Sequence, residues 1–257
     1  MARPAILVLA LLAASLAFVP RSPARGAAPL EPAPAAIAAG RAPEGAWRAR
    51  PEPRPTQRSR PSGHLIAYVR SGVALRARPG GRVVTRVESR TTFGSPQALA
   101  VVRSHRGRWL AVSTPELGNG RLAWIDARAG GLRFARTRLE LDVDLSQRLA
   151  VVRRGSRVLR RFVVGVGRPG SPTPTGRFSV TDKLPGAAYS ATYGCCILAL
   201  SATQPNLPAG WSGGNRIAIH GGATGGAVSA GCLHAADADL RYLMRLVPLG
   251  TPVVVQL

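Results

Sequence analysis

Lysine is almost missing from this chain. Lys183 is the one lysine among 35 basic residues, set against 12 acidic ones in 257, so a formal charge of +23 is carried by arginine. A choice that one-sided, beside abundant alanine, glycine, proline and valine, follows from codon usage in a GC-rich genome and says little about function. The arginines are dispersed over strand-like and loop-like stretches with no recognisable nucleic-acid module, so no nucleic acid is expected as a partner. What the charge does predict is long-range, salt-sensitive attraction to anionic cell-wall polymers or a membrane surface. Cysteine is scarce too, with three residues, Cys195, Cys196 and Cys232. None lies near the N-terminus, so lipid attachment through an N-terminal cysteine has no candidate. With His220 and His234 they could in principle supply zinc ligands, but adjacent cysteines without C-x-x-C spacing chelate poorly, and neither a metal nor another cofactor is expected.

A membrane-spanning run is lacking as well. The apolar stretch at residues 5–19, AILVLALLAASLAFV, is fifteen residues long. At a helical rise of about 1.5 Å it covers roughly 22 Å, short of the ~30 Å hydrocarbon core. Arg3 precedes it and small residues follow at 24–28, the outline of a secretory signal. Residues 1–27 are therefore read as a signal peptide and the protein as exported to the cell envelope or beyond, touching the membrane only through this segment if it stays uncleaved. Residues 28–62, rich in Pro, Ala and Arg, cannot bury enough surface to offset their ordering entropy and read as an extended linker.

Beyond the linker the chain reads as mostly β. Residues 63–131 carry short apolar stretches, HLIAYV, VALRARPGGRVV, LAVV, RWLAVS and RLAWIDA, separated by turn signals such as RPGG and ELGNG. Trp109 and Trp124 are expected in the core of so small a module. Its strand rhythm and the VALRARP turn resemble a bacterial SH3-like β-barrel of envelope enzymes. A second unit spans residues 138–257. Leu139, Leu141, Val143 and Leu145 alternate with acidic residues, the period of a strand with one buried face. A hairpin is expected around Gly155. Leu240, Leu243, Met244 and Val247 have the spacing of an amphipathic helix ended by Pro248 and Gly250, and TPVVVQL closes the chain as a strand.

The chemistry concentrates in IAIHGGATGGAVSAGCLHA, residues 217–235. A thiol with the ordinary pKa of about 8.5 is mostly protonated at neutral pH, so a nucleophilic cysteine needs a base or a positive neighbourhood. His220, twelve positions before Cys232, can be that base, because the intervening GGATGGAVSAG has five glycines and no bulky side chain except Val228. Such a loop can fold back and bring imidazole to sulfur. Taken singly, each residue has a plainer reading: free cysteine is often a small buried filler, and a histidine ending an apolar strand is often a satisfied core group. Three cysteines leave one unpaired after a single disulfide. A Cys195–Cys196 bridge, or two reduced neighbours, leaves Cys232 free, whereas a bridge from either to Cys232 would silence it.

Four blocks in order, GVGRPGSPTPTGRFSV (165–180), RIAIHG (216–221), VSAGCL (228–233) and VPLGTPVVV (247–255), resemble the L,D-transpeptidase catalytic domains of the YkuD type. The resemblance implies a β-rich fold around catalytic Cys232, with His220 as base and Ser229 as a third catalytic residue that positions the loop and the histidine by hydrogen bonds. It implies that Gly231 and Leu233 shape the loop and its oxyanion donors, and that Gly221, His234, Thr175 and Tyr193 contribute to the substrate site. His234 stands where the family usually has Arg or Asn, which puts a substrate contact there in doubt. The implied activity is cysteine acyl transfer on peptidoglycan stem peptides, cross-linking two stems through a thioester. The alternatives are an L,D-carboxypeptidase, or a catalytically weak wall-binding protein.

Overall fold

The computed structural model describes residues 63–257; the expected signal peptide and linker lie outside the described residues. Seven strands come first: β1 (His64–Val69), β2 (Val73–Arg76), β3 (Val83–Val87), β4 (Ala98–His105), β5 (Trp109–Val112), β6 (Ala123–Asp126) and β7 (Leu132–Thr137). They form one sheet in the order β3-β2-β6-β5-β4-β1-β7, antiparallel throughout. Strand β7 fills the interval between the two segments delimited in the sequence.

The core of this module is aliphatic, built from Val69, Leu75, Leu99, Leu110, Val112 and Ile125 among others. The two tryptophans are not in it, contrary to expectation, and the register explains why. Leu110 pairs with Ile125 and Val112 with Ala123, all facing inward, so the alternate pairs Trp109–Asp126 and Ala111–Trp124 face the other way. Both rings lie half-buried on the outer face beneath guanidinium groups, Arg108 5.2 Å from the Trp109 ring and Arg103 5.9 Å from that of Trp124.

The second module contains β8 (Leu139–Asp144), β9 (Leu149–Arg154), β10 (Arg157–Val163), β11 (Val166–Gly167), β12 (Gly176–Pro185), β13 (Cys196–Thr203), β14 (Arg216–Gly221), β15 (Ala227–Ser229), β16 (Leu233–Ala235), α1 (Asp237–Leu246) and β17 (Pro252–Gln256). Eight of the strands form a mixed sheet, β10-β9-β8-β17-β12-β13-β14-β16, in which β17 runs parallel to β8 and β14 parallel to β16. β11 and β15 make a separate two-stranded parallel pair. The strict burial alternation of β8 matches its sequence period. Gly155, with φ of 62°, turns β9 into β10 in a tight hairpin that pairs Arg154 with Arg157.

Helix α1 presents Leu240 and Leu243, both fully buried, to β13 and β14. Asp237 and Asp239 in its first turn and Arg245 in its last complement the helix dipole. Asp239 also pairs with Arg160 of β10 at 2.6 Å.

Both sheets belong to one compact unit. Asn119 of the first module makes a two-way amide clasp on Thr203, donating to its carbonyl at 2.7 Å and accepting from its N–H at 2.9 Å. Gly250 has φ of 81°, and a Cβ there would run into the side chain of Ile66, so the modules touch backbone to side chain at that point. His64 meets Glu140 at 3.3 Å. Asn119→Ala removes the partner of the Thr203 N–H, carbonyl and hydroxyl and is expected to cost about 1–3 kcal/mol, measured as a lower urea midpoint followed by circular dichroism.

Candidate active site

Strand β14 builds the site by alternation. Ile217 and Ile219 join the central core with Leu233, which leaves Ala218 and His220 on the opposite face. There Ala218, Leu184 and Ile197 form a small apolar cluster against which Tyr193 and Cys232 pack. Parallel pairing with β16 sets His220 beside His234, their rings 4.7 Å apart, and Tyr193 meets the other side of the His220 ring edge-on at 4.7 Å. Cys232 stands just before β16, a free and partly buried thiol 3.9 Å from the Arg216 carbonyl. The adjacent Cys195 and Cys196 are bonded to each other.

Two cavities open on this pair. One of about 400 Å³ is lined by His220, Cys232, His234, Arg168 and Trp211 among others. A smaller, more apolar one of about 260 Å³ is lined by Phe93, Leu184, Tyr189 and Ala218 as well as by His220 and Cys232. Imidazole and sulfur therefore share one hollow. They make no hydrogen bond to each other among the described residues.

The tautomer is fixed by one contact. His220 Nδ1 lies 2.8 Å from the Gly221 carbonyl, and since a carbonyl only accepts, Nδ1 carries the hydrogen. Nε2 then holds the lone pair, and among the described residues it has no hydrogen-bond partner. Burial, with a smaller push from His234 and against the Gly221 carbonyl, drives the His220 pKa down to about 4, so the ring is neutral at pH 7. Burial also raises the Cys232 thiol, opposed by a hydrogen bond from the backbone of Ala218. The resting state is thus thiol beside neutral imidazole rather than a thiolate–imidazolium pair.

Residues 138–255 match the YkuD family, the L,D-transpeptidase catalytic domain. The second module belongs to that family. The chain matches none of the curated proteins. Among solved structures it is similar to an L,D-transpeptidase from Mycobacterium smegmatis at 16% identity and a TM-score of 0.39, covering 62% of this chain and 82% of that one. L,D-transpeptidase 3 from Mycobacterium tuberculosis aligns at 17% identity and 0.38, covering 53% and 74%. The Enterococcus faecium enzyme aligns at 22% and 0.36, covering 46% of this chain and about half (49%) of that one.

Within this L,D-transpeptidase domain, Ser229 sits where the loop needs ordering. Its hydroxyl donates to the Cys232 carbonyl at 2.6 Å and accepts from the Gly231 N–H at 3.0 Å, and with both roles taken inside the loop it makes, contrary to expectation, no bond to His220 among the described residues. That second bond occupies the Gly231 N–H, so it is not an oxyanion donor; the Cys232 N–H is the unengaged backbone donor at the sulfur among the described residues. Gly231 is needed for its φ of 119° and because a Cβ would strike Gln204 and Ile217. Leu233 is fully buried in the core and reaches the site only through its backbone. Gly221 accepts from His220 and passes so close to Gly194 that a side chain would not fit, which makes it a packing position rather than a substrate contact.

Tyr193 and His234 do line the cleft, and His234 Nδ1 is buried without a partner among the described residues. Thr175 does not. It is exposed at the turn into β12, away from both cavities, because Thr173 is the threonine turned inward, accepting from the Gly167 N–H. Residues passed over in the sequence are Arg216 and Phe93, which line the cleft, and Gln204, whose amide donates to the carbonyls of Pro172 and Ala230 and so anchors the loop before the cysteine. Gln204 carries no sequence signal for that role.

The raised thiol and depressed imidazole predict how reactivity responds to pH. Thiolate is the reactive form, so iodoacetamide alkylation of Cys232 is expected to climb about tenfold per pH unit from pH 6, with a midpoint above the ~8.5 of a free thiol. Quenched-mass time courses read it, and a plateau already reached by pH 6 would mean a preformed ion pair.

Proposed function

We propose that this protein is an exported L,D-transpeptidase that cross-links peptidoglycan stem peptides through a Cys232 thioester. The observation that carries the reading is a free thiol and a neutral imidazole, its Nε2 unpaired, opening on one cavity beside an unengaged backbone N–H. The Cys232 sulfur attacks the carbonyl of the third stem residue as its proton passes to His220 Nε2. The Cys232 N–H donates to the oxyanion that forms. Collapse breaks the peptide bond, and the proton on Nε2 goes to the departing amine of the terminal D-alanine. The thioester is then attacked by an amine of a second stem, whose proton returns to the sulfur through His220 as the new amide forms. The donation from Nδ1 to the Gly221 carbonyl holds the ring in the tautomer that both halves require, and becomes stronger when the ring is charged.

Export is supported by the apolar run at residues 5–19 and by the location of such a substrate outside the membrane. Imipenem, present in one similar transpeptidase structure, serves as a probe of the thiol. The chain from residue 28 onward is expected to gain the mass of one imipenem on incubation, and Cys232→Ala to gain none. His220→Ala is expected to slow the adduct by about 10²–10⁴. Absence of an adduct on the unaltered protein would favour a wall-binding role over an enzymatic one.

A further inference from the structure

The first module reaches into the catalytic cleft. Its loop at residues 91–95 is a self-bonded turn: the Thr91 N–H donates to the Ser95 carbonyl, the Gly94 N–H to the Thr91 carbonyl, and the N–H groups of Phe93 and Ser95 to the Thr91 hydroxyl. The same hydroxyl donates to Oδ1 of Asp182, a fully buried carboxylate of the second module. The turn thereby presents Phe93 as a wall of the smaller cavity, with Tyr189 edge-on to it at 6.3 Å.

Under Phe93 lies Arg216, its guanidinium carbon 5.6 Å from the ring centroid. The side chain is 16% exposed and lines both cavities that contain Cys232. Its bonds are one-sided. Nη1 donates to Thr181 Oγ1 at 3.2 Å and lies 3.5 Å from the Leu200 carbonyl, whereas Nε and Nη2 donate to nothing among the described residues. Asp182 Oδ2, 3.9 Å from Nη1, balances the charge but is too distant to occupy a donor and is itself without a hydrogen bond among the described residues. A mostly buried cation thus keeps free the edge that grips a carboxylate with two parallel bonds.

We propose that Arg216 and Phe93 form a subsite for the free α-carboxylate and small aliphatic side chain of the residue that leaves when Cys232 is acylated. The proposal rests on the transpeptidase reading for where the scissile bond lies. The chemistry fits that one residue. Cys232 Sγ lies against the carbonyl of Arg216 itself, so the guanidinium is a single side chain away from the attacked bond. Leu184, Ile197 and Ala218 line the rest of the cavity with surface suited to a methyl group. Phe93 shields one face of the guanidinium from water, which strengthens its pairing with an incoming anion.

The test compares a tetrapeptide stem ending in a free carboxylate with the same stem ending in a carboxamide, using the full mature chain. The unaltered protein is expected to prefer the acid by about tenfold or more in kcat/KM. Arg216→Gln is expected to reduce that ratio to about one, acting mainly on KM, while Arg216→Lys keeps part of it. Phe93→Ala is expected to weaken both substrates, and Arg168→Gln to keep the ratio. The rate of Cys232 alkylation reports whether each variant remains folded around its thiol. A ratio unchanged in Arg216→Gln, or abolished instead by Arg168→Gln, overturns the subsite. Calorimetric binding of both peptides to Cys232→Ala protein gives the same ratio without turnover. A stem that binds acid over amide through Arg216 yet is never cleaved would sink the transpeptidase reading and leave the subsite standing. Equal binding of acid and amide would sink the subsite alone.

Discussion

Everything at the site depends on the register of strand β14, which is clamped on both edges at once. His220 pairs with Ile197 of β13 on one side and with His234 of β16 on the other. Because side chains alternate strictly, a slip of one residue would drive His220 into the aliphatic core and turn Ile219 onto the cleft. The antiparallel neighbour supplies the apolar floor and the parallel neighbour supplies the cysteine. Neither alone would bring a base and a thiol to one hollow. The short β16 is itself held by the bonds that Gly165 and His234 exchange, so the loop before it has a firm landing point.

Burial then sets the chemistry. A cleft that seals one side of both groups penalises charge on either, which favours the neutral histidine and the protonated thiol. The arrangement keeps an exposed, oxidisable thiolate out of the resting protein. It also makes the Gly221 carbonyl important, because it is the one group among the described residues that holds the proton on Nδ1.

Much of this was legible in the residues, and the parts that were not share a cause. The alternation of β8, the hairpin at Gly155 and the amphipathic face of α1 are local patterns whose physics lies within a few residues. His220, Ser229 and Cys232 could be picked out because glycine spacing and block order converge on them. Trp109 and Trp124 were misplaced because pairing between β5 and β6, not ring size, decides which face a residue takes. Thr175 and Thr173 lie two positions apart, on either side of Pro174, in a turn whose direction no period reveals. Arg216 opens the RIAIHG block, but nothing there marks it for the cleft, since one arginine among so many looks like the rest until a strand points it inward. Phe93 lies more than a hundred residues before the cysteine, and only the meeting of two sheets makes them neighbours.

That meeting has an energetic logic centred on Asp182. A fully buried carboxylate beside a mostly buried guanidinium costs several kcal/mol of desolvation per ion, which their attraction alone offsets only with good hydrogen bonding. The second module supplies the arginine but, among the described residues, no hydrogen-bond donor to the carboxylate; the donor comes from Thr91 across the interface. Without the first module, Asp182 would lose that hydrogen bond and Arg216 its aromatic cover at the same time. The interface clasp at Asn119 and the close approach at Gly250 hold the sheets in the one relation that supplies both. The two sheets are therefore coupled through a polar group that neither would bury comfortably by itself, and the coupling ends one residue's length from the sulfur.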